Sequence, residues 1–195
     1  LIGVGELGPA GFNGDSTRFD LGRGAYNIWF FGVLLGKSII GIQAQDIIHL
    51  INILRSHPSL SKRPISALAR GNLCGTLLHA SAFEQTISEV ALINPLISYR
   101  SLVMNKYYQP ELIQGTVPGA ITSYDLPDMA SCIAPRKLWM INVQDHRMKP
   151  AEQKDIDMNY QFTREVYNSH NAQNNFIIKS WNRFQNFSEV MEGWL

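Results

Sequence analysis

The stretch that decides the fold is PISALARGNLCGTLLHASAFE, residues 64–84. Pro64 to Ala69 is short, apolar and bounded by turn residues, which suits a buried strand. Gly71 to Gly75 reads as a sharp turn, since two glycines four apart free the backbone on either side of Leu73. Thr76 to Glu84 is a compact run of small and apolar residues and reads as a helix. Strand, tight turn, helix is the opening of a unit that must cross over to a parallel strand.

Working outward, the same grammar repeats. Upstream, residues 39–55 carry Ile40, Ala44, Ile47, Ile48, Ile51 and Leu54 at three- and four-residue spacing, the pattern of an amphipathic helix, and Pro58 stands where it should stop. Ahead of it, Tyr26 to Leu35 is apolar on all sides and is expected to pack inside. Downstream, strands are expected at residues 89–93, 137–143 and 175–181. A helix over residues 156–169 should present Ile156, Tyr160, Thr163 and Tyr167 on one face, and a closing helix is expected over 188–195. The segment between residues 98 and 135 is broken by Pro110, Pro118 and Pro127 into short helices. The expected fold is α/β, a parallel sheet of about four strands (64–69, 89–93, 137–143, 175–181) with helices on both faces. Sites in such sheets lie at the carboxyl ends of the strands.

Composition narrows the function. Lys+Arg is 17 against Asp+Glu 16, a net charge of +1, with no local basic cluster. That argues against nucleic-acid binding through bulk charge. Two cysteines make neither a disulfide scaffold nor a four-ligand zinc site, and no His/Cys/Asp/Glu spacing suggests a metal, so no cofactor is expected. No apolar run approaches the ~18–20 residues of a membrane span. Gly3, Gly5 and Gly8 spell G-x-G-x-x-G, a pyrophosphate-binding pattern, but Pro9 and Gly11 follow where a helix should run, so a plain glycine-rich loop is the better reading.

The spacing of Gly71, Leu73 and Gly75 between a strand and a helix is that of a nucleophile elbow, whose positions two before and two after the centre must be small or strand and helix collide. Centring it on Gly71 would set Leu73 at one of them, so that register is rejected. There the central residue carries the attacking atom, and Leu73 has none. Cys74 stands one position late, where its backbone N–H would serve an oxyanion and its thiol would be a small buried hydrophobe.

Four segments resemble the C-terminal part of an α/β-hydrolase of the acetyl xylan esterase and dienelactone hydrolase-like group. They are GVGELGP (3–9), GKSIIGIQAQDIIHLINILRSHP (36–58), GNLCG (71–75) and YDLPDMASCIAPRKLWMINVQD (124–145). The resemblance implies a catalytic acid after the strand at 137–143, where Asp145 stands; a loop aspartate closing a turn is the competing reading. It implies a histidine after the last strand, but residues 182–187 hold none. His146 is the substitute nearest the sheet's carboxyl edge, whereas His49, His57, His79 and His170 are expected away from it. Tyr124, Asp125, Asp128, Trp139, Trp181 and Arg100 could line a sugar cleft, with core packing the plainer reading of the aromatics.

The expectation is therefore a relative of carbohydrate esterases with a degenerate triad, weak or non-catalytic. The alternative is an active esterase on acylated polysaccharide, using a non-standard nucleophile such as Cys74. By resemblance, the partners would be acylated plant polysaccharide or oligosaccharide and the location extracellular or periplasmic. The resemblance also implies one domain over 1–195 lacking its N-terminal strands, which a further segment or partner chain would complete, and a sheet with one unpaired edge.

Overall fold

The structure is a computed structural model that describes residues 23–182 and 185–194, with side chains from residue 29 onward. The glycine-rich segment with Gly3, Gly5 and Gly8 lies outside the described residues. The elements run α1 (Arg23–Leu34), α2 (Ile39–Ser56), β1 (Ile65–Arg70), α3 (Leu73–Phe83), β2 (Ile87–Ile93), α4 (Tyr99–Val103), α5 (Leu126–Ser131), β3 (Lys137–Ile141), α6 (Gln153–Ser169), β4 (Phe176–Lys179) and α7 (Phe187–Val190), with short 3-10 turns at Pro110–Gly115, Ala120–Thr122 and Gln173–Asn175.

The four strands form one sheet in the order β1-β2-β3-β4, every pair parallel. Among the described residues β1 has no partner on its other edge. Alternation divides the sheet into two faces. Val90, Leu92, Leu138, Met140 and Phe176 point into the main core. That face is covered by α3, α5 and α6, with α2 packed outside α3. Ile156, Tyr160, Thr163 and Tyr167 are the buried face of α6, as their spacing predicts. Tyr167 stacks on Phe176 with ring centroids 5.1 Å apart.

On the opposite face Ala91 and Trp139 pack on Trp194, and Ile93 and Ile141 on Val190. There Lys179 lies 3.8 Å over the Trp139 ring and donates to the Val190 carbonyl. Next to this cover Leu68 stays 43% exposed on β1. The helices thus lie unequally on the two faces among the described residues.

At the amino ends of the strands, Arg136 ties the layers together. Its guanidinium donates to the carbonyls of Ser81, Glu84, Ile87 and Ile133 at 2.6–3.2 Å. Burial holds its pKa below the usual arginine value.

Several expectations shift. β3 ends at Ile141 because Asn142 takes a left-handed φ of 53° and leaves the ladder. α7 stops at Val190, shorter than the closing helix expected over 188–195. The apolar segment before α2 does not pack inside where its side chains are described: α1 touches α2 and the 3-10 turn at Pro110–Gly115, but Phe30, Phe31, Val33, Leu34 and Leu35 are exposed.

Candidate functional site

Three strands end in the same way. Gly71, Asn94 and Asn142 follow β1, β2 and β3, each with a left-handed φ of 62°, 56° and 53°. Each donates its N–H across to the last carbonyl of the next strand: Gly71 to Ile93 at 2.9 Å, Asn94 to Ile141 at 2.7 Å, Asn142 to Lys179 at 3.0 Å. Glycine and asparagine are the residues that accept this conformation at least cost.

This places the turn after β1 two residues earlier than its glycine spacing suggests. The left-handed residue is Gly71, while Leu73 is the first residue of α3 and packs against the core. The two glycines also differ in kind. A Cβ on Gly71 would meet nothing within 4 Å, so its φ and not its bulk demands glycine. A Cβ on Gly75 would make only ordinary contacts, the nearest being the Gly115 carbonyl at 3.5 Å. Helix and strand would not collide there, contrary to the steric reason for expecting glycine.

The Cys74 side chain is buried and its thiol lies 3.2 Å from the Ile93 carbonyl. Its backbone N–H donates to Gly71 O at 3.0 Å, so the donor expected to serve an oxyanion is engaged within the turn. Asp145 closes its own loop. Its carboxylate accepts from the amides of Arg147 and Lys149 at 2.8 and 2.9 Å and faces Arg147 Nε at 3.6 Å. This is the bonding of a turn-forming aspartate. The His146 carbonyl accepts from the Gln109 amide, and its ring is half-buried.

At the carboxyl ends of the strands lies a cavity of about 30 Å³. Gly71, Cys74 and Gly75 line it, together with Gln144 and Met148 on either side of Asp145; Leu73, Asp145 and His146 do not. The 3-10 turn at Pro110–Gly115 lies over it. Asn72 Nδ2 donates to the Glu111 carbonyl at 3.2 Å, and Leu112 is buried beneath. Tyr160 forms part of the wall and donates to the Ile97 carbonyl at 3.0 Å. The space has room for a water or two.

One polar pair escaped the sequence reading. His79 Nδ1 lies 2.7 Å from Gly75 O, which can only accept, so this nitrogen carries the proton. Nε2, 2.9 Å from the Tyr124 hydroxyl, is then the acceptor. Burial lowers the His79 pKa despite the Gly75 bond, and burial raises that of Tyr124. Only the position of His79 one helical turn after Gly75 hinted at the first bond; Tyr124 is 45 residues away.

The remaining polar candidates serve structure. Asp125 accepts from the amides of Tyr99, Arg100 and Leu126 at 2.5–3.0 Å and caps α5 reciprocally with Asp128. Trp139 is buried against Trp194, and Trp181 is held by Asn142 through its backbone N–H and C=O. No helix among the described residues is long and apolar enough to cross a membrane.

No protein-family model matches the chain. No curated protein matches it significantly. Among solved structures, the fold is similar to the crystal structure of a "putative acetyl xylan esterase" from Bacteroides fragilis NCTC 9343, with a TM-score of 0.64 at 16% identity. The match covers 89% of this chain and 45% of that one, so this chain spans less than half the length of its structural neighbour.

Proposed function

We propose that this chain is an α/β-hydrolase-like domain related to carbohydrate esterases that does not carry out ester hydrolysis. The observation that supports it is Gly71. The sharp turn after β1 is where a hydrolase of this fold presents its nucleophile, and here the left-handed residue has no side chain. The cavity beside it, at about 30 Å³, is far below the ~300–1,000 Å³ typical of small-molecule sites. A domain of this kind would bind polysaccharide or support another domain without turning over an acyl ester.

Hydrolysis of p-nitrophenyl acetate tests this. Wild type, Cys74→Ala and Asp145→Asn should give the same rate, close to that of an unrelated protein. Turnover that both substitutions abolish would establish instead an esterase with Cys74 as nucleophile and overturn the proposal.

The domain reading goes with it: the sheet continues beyond β1 in a segment or partner outside the described residues. The open edge of β1, the exposure of Leu68 and the 45% coverage of the neighbour support it. Fast hydrogen exchange is expected at the outward amides of β1 in the isolated chain; protection equal to that of β2 would count against an open edge.

A further inference from the structure

A second cavity, of about 250 Å³, lies away from the strand ends. It shares no lining residue with the first. The segment 110–117 separates them, with Leu112 and Gly115 facing one and Ile113 and Thr116 the other. Its walls come from the middle of α1, from α4 and from the loop that carries Gly119.

Three aromatic side chains, Trp29, Tyr99 and Tyr108, line it, and among the described residues no lining residue is charged. Several polar groups around it are bonded within the walls. Trp29 Nε1 donates to Thr116 O at 3.2 Å, the Thr116 hydroxyl to Ile113 O at 2.7 Å, and the Ala120 amide to Val117 O at 3.1 Å. What faces the space is therefore mostly aromatic and aliphatic carbon. The Tyr99 hydroxyl, buried beside the Val117 backbone, makes no well-formed hydrogen bond.

The walls are held in place. Asp125 fixes the Tyr99 and Arg100 amides, and Ser98 caps α4. Tyr99, Leu102 and Ala120 are buried, whereas Val103, Tyr108 and Ile121 stand exposed, and a bound molecule would cover their apolar surface. An enclosed apolar space of ~150 Å³ takes a benzene ring, so this one has room for a substituted ring or a small bicycle.

We infer that this crevice binds a small, neutral, ring-shaped apolar molecule of the phenol or indole class. A charged ligand would leave its hydration for walls that offer no counter-charge. A free sugar would bring more hydroxyls than these walls can satisfy.

The test is titration of the ¹⁵N-labelled chain with p-cresol, with benzoate and methyl β-xyloside as comparisons. Saturable p-cresol shifts centred on the Trp29 indole N–H and the Thr116 and Ile121 amides are expected, with a Kd of roughly millimolar or tighter for so few atoms. Val103→Phe and Ile121→Trp, both at the exposed rim, should each weaken binding by about tenfold or more by filling the space. Should either variant fail to fold, the wild-type shift map still decides. No saturation up to the solubility of p-cresol, shifts centred elsewhere, binding unchanged in both folded variants, or tighter binding of benzoate or the xyloside would each overturn the inference.

Discussion

The amide of Gly71 donates to the carbonyl of Ile93 at 2.9 Å, and this bond fixes where β1 stops. Arg70 is the last residue of β1 in register, paired with Ile93, so the next residue must turn away while its N–H still reaches the neighbouring strand. A left-handed residue does both. Asn94 and Asn142 do the same one and two strands along. The turn after β1 is thus one instance of how this parallel sheet ends its strands.

That role separates Gly71 from Gly75 in stability. Gly71→Ala should destabilise the fold by about 1–2 kcal/mol, the cost of a Cβ in a left-handed residue. Gly71→Asn should cost clearly less, since asparagine already fills the same place after β2 and β3. Gly75→Ala should be neutral or stabilising by up to ~1 kcal/mol, because α3 has room for the methyl and alanine favours the helix. Urea midpoints for the three variants check this; equal losses at both glycines would refute it.

Placing a hydroxyl in the turn should not create an esterase. In Gly71→Ser the new Oγ would need a base and an acid within reach. The sequence after β4 holds no histidine from 182 to 187, and the Asp145 carboxylate is engaged by its own loop. Labelling of this variant by a fluorophosphonate probe should stay at the wild-type level. Covalent labelling at the introduced hydroxyl would show that a general base is present after all.

The sheet was legible because buried parallel strands are apolar runs bounded by turns, and α6 because Ile156, Tyr160, Thr163 and Tyr167 keep helical spacing. The site was harder to read. Glycine spacing puts Leu73 at the centre of the turn, but the left-handed residue is chosen by where strand pairing ends, which spacing does not carry. The same holds for Asp145, whose residue type suits an acid or a turn alike until its loop partners are seen. His79 and Tyr124 meet only through the packing of α3 against the loop before α5. The exposure of Phe31 and Leu34 depends on which neighbours α1 finds, and hydropathy alone is silent on that.

His79 should give stability a pH dependence of known sign. Burial lowers its folded pKa below the ordinary 6.5, so between those values the unfolded chain binds more protons than the folded one. Stability from this residue is then fully present above 6.5 and falls as the pH drops below it, levelling off under the folded pKa. The slope in that window is at most ~1.4 kcal/mol per pH unit for one proton. Urea unfolding from pH 7.5 down to 5 (about the range where histidine titrates) should show this loss in wild type. His79→Gln should be less stable at pH 7.5 but flatter with pH; an unchanged slope would assign the effect elsewhere.

Arg136 sets the largest expected single loss. Its guanidinium meets the carbonyls of Ser81, Glu84, Ile87 and Ile133, which end α3, open β2 and precede β3. Arg136→Ala would leave the carbonyls of buried Ser81, Ile87 and Ile133 and of half-buried Glu84 without these donors, and each lost bond to a charged group is worth about 1.5–3 kcal/mol, less here because the guanidinium is only half-buried. A net loss of roughly 3 kcal/mol is expected, since losses around one side chain do not add. Arg136→Lys should recover little: an ammonium offers three donors at a point, not five in a planar fork, and cannot span carbonyls from three elements. Thermal unfolding and urea midpoints of the two variants measure this. A lysine variant as stable as wild type would mean that charge, and not the fork geometry, is what this position requires.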